Sequence, residues 1–332
     1  MKIKESIGDI KLVSPAEQFQ RKKLQNEVVQ RLMEHHLSPV GQRAMYECGV
    51  FLRFVTTEDK QHRKVIQANF CGRRFCPTCD WRKSLKDSLE VQTEIRAISE
   101  EQKYRFIFVT LTAPNVSGED LPKAITQYNK AFDRLMKRRS FSRMSKGYIR
   151  KLEITYNADR DDFHPHFHVI FAVSKSYFTN KKIYLNHDEW LSSWREVMGD
   201  NSIKMVNVQA VGSKDDEVES AKEVAKYAVK DSDYDSPEVF DYFYNALHGR
   251  QLITRRGIFK DYRKKYKAKE LDDYREVDTN FYYYLLRSTW EMSEHRYNEI
   301  YRKLTDEERV AFGLVGDHKL GGDDTEAVII DE

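Results

Sequence analysis

Three histidines at every second position, His164, His166 and His168, run straight into an apolar stretch that ends near Val173. Side chains alternate between the two faces of a β-strand. A strand over residues 167–171 therefore points His166 and His168 the same way and puts Phe167 and Val169 on the opposite face. Two imidazoles two residues apart on a rigid strand can grip one metal ion. A polar strand face with solvated histidines has the same pattern. Pro165 has no N–H for a ladder, which predicts a strand start or edge and leaves His164 just outside the strand.

Residues 148–156 (YIRKLEITY) read as a second strand, and the short turn 157–162 makes the two an antiparallel hairpin. Glu153 alternates with Leu152 and Ile154, so it opposes the apolar side and can reach a metal held by His166 and His168. Two imidazoles and a carboxylate leave positions open for a phosphate oxygen and water, the layout of a catalytic site. His164 competes with Glu153 for the third place.

Residues 104–112 (YRFIFVTLT) predict a strand buried on both faces. Residues 121–138 predict a helix with one apolar stripe. A helix is expected from 214 to about 232; on it Glu223 and Tyr227, four apart, share a face and Lys230 lies near Tyr227. A phenol is a poor nucleophile at neutral pH and needs a cation on its target or a neighbouring lysine.

All four cysteines fall in the first quarter of the chain, and Cys71, Cys76 and Cys79 lie within nine residues. Cys-Pro-x-Cys is a tight thiolate turn, and Cys48 can complete a closed tetrahedral zinc site from a paired strand. Ordinary buried cysteines are the alternative. Strands are expected over 46–55 and 65–70. Arg73, Arg74 and the helix that starts at Trp81 offer phosphate contacts or a plain surface.

The chain has 332 residues and a net charge of +3, with 33% charged residues. Residues 316–332 hold six acids against Lys319, so the remainder carries about +8, a modest bias toward an anionic partner. Two basic runs interleave with aromatics: residues 137–151, which suit a single strand, and residues 255–269, led by Arg255 and Arg256, which suit a duplex or hairpin. A solvated face explains each as well. The lack of an apolar run of about 20 residues, or of a signal-peptide core, points to the cytoplasm and away from membranes.

Three stretches in order, Phe-Val-Thr-Leu-Thr at 108–112, His-Pro-His-Phe-His at 164–168 and Glu-x-x-x-Tyr at 223–227, together with the cysteine region and Trp81-Arg82, resemble the rolling-circle replication initiators of small Gram-positive plasmids, within the HUH endonucleases. The resemblance covers residues 45–265. It implies an α+β fold: a central antiparallel sheet with flanking helices, a zinc-knuckle subdomain and a helical C-terminal region. It also implies that His166 and His168, with Glu153 or His164, hold Mg²⁺ or Mn²⁺. Tyr227 would attack the scissile phosphate to give a 5′-phosphotyrosine. Glu223 would activate water at a second cleavage, and Lys226 and Lys230 would steady the phosphate. The implied partners are the plasmid's double-strand origin with its single-stranded or hairpin nick site, a host helicase and polymerase, and a second copy of the chain.

The expected divisions are 1–100 (N-terminal helix and Zn²⁺ region), 101–235 (catalytic core), 236–315 (helical, basic) and a disordered acidic tail from 316 to 332. A transposase or relaxase of the same superfamily, and a non-catalytic zinc-containing DNA-binding regulator, are the competing readings.

Overall fold

The computed structural model describes residues 15–226, 228–229, 233–234, 236–314 and 318–319. The chain is α+β with antiparallel sheets, in two compact units: Met1–Arg82 with Val277–Glu332, and Lys83–Glu276.

The first unit opens with α1 (Pro15–Leu32), α2 (Pro39–Glu47), β1 (Phe51–Thr56) and β2 (Arg63–Ala68). Then α3 (Pro77–Gln102) begins in it and continues into the second unit. There follow β3 (Arg105–Thr112), α4 (Leu121–Lys137), α5 (Arg139–Met144), β4 (Ser145–Asn157), β5 (Asp162–Val173), α6 (His187–Met198), β6 (Val206–Val211), α7 (Lys214–Ala225), α8 (Pro237–Leu247), β7 (Ile253–Gly257) and α9 (Ile258–Lys267). The chain then rejoins the first unit through β8 (Val277–Asp278), β9 (Tyr284–Glu291), β10 (Arg296–Lys303), α10 (Asp306–Ala311) and β11 (His318–Lys319).

Strands of the second unit form one five-stranded antiparallel sheet in the order β6-β3-β5-β4-β7. One face is largely apolar, with the buried Arg150 guanidinium lying over the Phe132 and Phe167 rings. There Phe132 of α4 meets Phe167 and Phe171 of β5, with ring centroids 5.8 and 6.4 Å away, and Trp190 of α6 meets Phe171 at 5.6 Å. The other face is divided. Phe106, Ile149, Ile170 and Ala172 fill one end beneath α3, α7 and α9, through Val91, Ile95, Ala221, Val224 and Phe259. The histidines occupy the opposite end. Gly257 (φ 57°) lets β7 turn directly into α9; a Cβ there would meet the Lys146 carbonyl oxygen at 2.4 Å.

Several expectations change. The strand expected from 46 begins at Phe51, because Ser38 caps α2, with Pro39 in its first turn, and carries the helix to Glu47. Only one face of β3 is fully buried; on the other, Phe108, Thr110 and Thr112 are half-open toward the histidines. The segment 281–303, expected as helix, is instead the β9–β10 hairpin, and β9 pairs with β1 to give a sheet in the order β10-β9-β1-β2. Pro165 and His164 both lie inside β5, which starts at Asp162. The ladder tolerates this proline because Ile154, its partner on β4, sends its own N–H the other way, to the Ala228 carbonyl oxygen at 2.8 Å.

Candidate metal and DNA-cleavage site

Antiparallel pairing sets Glu153 of β4 directly opposite His166 of β5, and Thr110 and Thr112 of β3 opposite His168 and His166. All five side chains share one face. Glu153 Oε2 lies 3.0 Å from His168 Nε2 and 3.6 Å from His166 Nε2. The three groups offer ligand atoms within 4.8 Å of one another. Donors bound at about 2.1 Å and at right angles around a hard cation stand about 3 Å apart, so the spacing fits an ion. Two imidazoles with one carboxylate suit Mn²⁺ better than Mg²⁺, which prefers oxygen donors.

Both imidazoles are oriented from behind. His166 Nδ1 lies 3.2 Å from the His164 carbonyl oxygen, a contact that requires an N–H on Nδ1, so it is Nε2 that would offer a lone pair to an ion when the ring is neutral. His168 Nδ1 lies 3.3 Å from Thr110 Oγ1, and its ring stacks on Phe108 at 5.5 Å. Burial alone would raise the Glu153 pKa, but hydrogen bonding and charge from the two histidines outweigh it and hold the carboxylate well below its usual range. Thr110 and Phe108 belong to the Phe-Val-Thr-Leu-Thr stretch, which by itself reads only as a core strand; the register turns it into support for His168.

His164 stands apart from this group. Its ring centroid is 5.3 Å from that of His166, and burial together with the His166 charge pushes its pKa down. Of the two competitors for the third position, Glu153 is the one among the converging atoms.

The expected helix 214–232 ends at Ala225, after a capping box of Ser213 and Asp216; Lys226 has an extended ψ of 154°. Tyr227 and Lys230 lie outside the described residues. Their described neighbours lie close to the metal group. Ala228 is tied to Ile154, the residue after Glu153. Glu223 lines a cavity of about 90 Å³ with Phe108, Gln209 and Ser220, and Phe108 is the ring stacked on His168. Lys226 Nζ pairs with Glu223 Oε1 at 2.8 Å.

In the first unit the four cysteines converge. Cys48 Sγ lies 3.5 Å from both Cys76 Sγ and Cys79 Sγ, and Cys71 Sγ 3.7 Å from Cys79 Sγ. A disulfide needs about 2.05 Å, whereas sulfurs around a tetrahedral zinc at about 2.3 Å stand about 3.8 Å apart. The donor set fits zinc. The backbone N–H groups of Cys71 and Gly72 donate to Cys48 Sγ and Cys79 Sγ. Hydrogen bonds from its three neighbours hold the Cys71 thiol well below the usual range, while those of Cys48 and Cys76 are raised.

The basic residues separate. Arg74 and Arg256 are exposed and Arg73 is half-buried, its guanidinium against Gly41. Arg255 corrects the sequence reading: it is buried, with Nη2 2.9 Å from Glu90 and Nε 3.2 Å from Glu94, and is not free to meet DNA. Among the described residues no helix is long and apolar enough to cross a membrane.

The family described as Replication protein matches residues 62–298. A "Protein rep" of Staphylococcus aureus is 43% identical over 218 residues, 66% of this chain and 94% of that protein. Its namesakes in Streptococcus pneumoniae (serotype 2) and Lentilactobacillus hilgardii are each 34% identical over 68% of this chain, and over 72% and 75% of their own lengths. No solved structure matches the chain.

Proposed function

The chain belongs to the Rep family of replication proteins, and from that premise we propose that it initiates rolling-circle replication of a plasmid in the cytoplasm by nicking one strand through a tyrosine, on an HUH-type sheet. The observation that carries this reading is the convergence of Glu153, His166 and His168 from two paired strands. His166, His168 and Glu153 hold Mn²⁺ or Mg²⁺. When bound, the cation supplies charge neutralisation at the scissile phosphate.

The phenol of Tyr227 attacks that phosphate in line. The Oη–P bond forms, the bond to the 3′ oxygen breaks, and the phenol's proton balances the free 3′-OH from which a host polymerase extends. Lys226 and Lys230 steady the phosphate charge. At termination Glu223 takes a proton from the water that cuts a second time; a carboxylate there favours hydrolysis and release over another covalent transfer. Arg73, Arg74 and Arg256 contact DNA, and zinc on the four cysteines holds the turn that carries Arg73 and Arg74. A host helicase follows the nick.

Incubation with single-stranded origin DNA and Mn²⁺ should yield a protein-linked 5′ fragment. Tyr227→Phe should bind the origin as the native chain does and yield none. Adduct formation by Tyr227→Phe would overturn the assignment.

A further inference from the structure

The sheet β10-β9-β1-β2 of the first unit carries chemistry that the nicking reaction leaves unused. On one face its register places Gln67 opposite Arg53, Arg53 opposite Arg287, and Arg287 opposite Ile300. In the adjoining row Phe51 faces Thr289, which faces Asn298. Side chains directly opposite on neighbouring strands are about 5 Å apart at Cβ, and like charges there repel. A sheet selected only for stability would put an acid or a neutral residue at one of the two arginine positions.

Neither guanidinium forms an ion pair among the described residues. Arg53 Nη1 donates to Gln67 Oε1 at 2.9 Å, and Arg287 rests 5.7 Å from the centre of the Phe51 ring. Other cations on this face are neutralised: Arg296 by Glu294 and Arg302 by Glu308. Glu308, which feels Arg53 at longer range, is bound through both oxygens by Arg302. Arg287, Asn298 and Ile300 are exposed, while Phe51, Arg53, Gln67 and Thr289 are half-buried. Past this patch Val55 and Leu285 disappear beneath Phe312 and Leu314, so the open area has a boundary.

We propose that this face, centred on Arg53 and Arg287, binds the phosphate backbone of duplex DNA. The nature of the partner rests on the initiator reading; the need for an anion rests on the opposed arginines. Single strands are held largely by bases stacking on exposed rings, and the one ring in these two rows is half-buried beneath Arg287. Paired guanidiniums flanked by amide and hydroxyl groups suit phosphate contacts, which fix position without reading bases.

The test uses the full chain and a short duplex of arbitrary sequence, with affinity measured by fluorescence anisotropy over a range of salt. Arg53→Ala combined with Arg287→Ala should make the slope of log affinity against log salt shallower by about 2, for two lost phosphate contacts. Arg53→Lys with Arg287→Lys should keep most of it. An unchanged slope in the alanine variant overturns the proposal. Since the charges repel, the alanine variant without DNA should melt no lower than the native chain; a lower Tm removes the premise. Native binding with altered sedimentation marks the face as a contact between copies and equally overturns the proposal. Adduct formation by the native chain tests the initiator reading independently, so the two can fail separately.

Discussion

Glu153 and His166 stand directly opposite each other on β4 and β5, with Oε2 of one 3.6 Å from Nε2 of the other. The same carboxylate oxygen is 3.0 Å from His168 Nε2. A buried carboxylate facing two imidazoles from a neighbouring strand is a ligand geometry, and its removal should be felt by the ion. Glu153→Ala is expected to weaken Mn²⁺ binding roughly 100-fold or more, at or beyond the upper end of the loss typical for residues that merely orient a ligand. Isothermal titration with Mn²⁺ reads this directly. Native-like affinity in the variant would remove Glu153 from the site.

Thr110 acts one step further back. Its hydroxyl meets His168 Nδ1 at 3.3 Å, which keeps Nε2 turned toward Glu153. Thr110→Val keeps the shape and loses the hydrogen bond. Mn²⁺ affinity should fall about tenfold while Tm stays within about 2 °C, since β3 keeps its packing. Equal affinities in titration would mean that the register alone orients the ring.

The parts of this site legible in the sequence are those set by local period: alternation along β5, alternation along β4, and the short turn joining them. What escaped was decided at a distance. Residues 284–303 alternate as strands, Leu286 and Ser288 inward against Arg287 outward, yet their partner β1 lies more than 200 residues earlier, so nothing nearby in the chain shows the pairing. Arg255 reads as a free cation until Glu90 and Glu94 of α3 come into place. Helical propensity runs on through Val-Ala-Lys-Tyr-Ala-Val, but α7 stops at Ala225 and the Ala228 carbonyl oxygen accepts from Ile154 instead.

The cysteine cluster predicts its own metal dependence. Lys23, buried, donates from Nζ to the Cys48 and Tyr46 carbonyl oxygens at 2.9 and 2.8 Å, so α1 is pinned to the residue that bridges to Cys76 and Cys79. Purified chain should contain one zinc per molecule by atomic absorption. Cys76→Ser should lose it, and Tm should drop by about 10 °C or more, because binding to a structural site is folding free energy. A zinc-free native chain with unchanged Tm would reduce the cysteines to core packing.

Glu94 makes stability depend on pH in a direction opposite to most carboxylates. Fully buried, it has its pKa pushed up from 4.5 to about 8 by desolvation; Arg255 pulls the other way but is shared with Glu90. Among the described residues its Oε1 has no hydrogen-bond partner, which leaves room for a proton. Between the two values the native state keeps a proton that the unfolded chain has released, so stability falls as pH rises through that window. Tm should therefore decline by a few degrees from about pH 5 to about pH 8. Glu94→Gln carries the neutral form's shape at every pH and should flatten that decline in a melting series. An equally steep decline in the variant would place the titrating group elsewhere and leave Glu94 ionised in a charge-shared pair with Arg255.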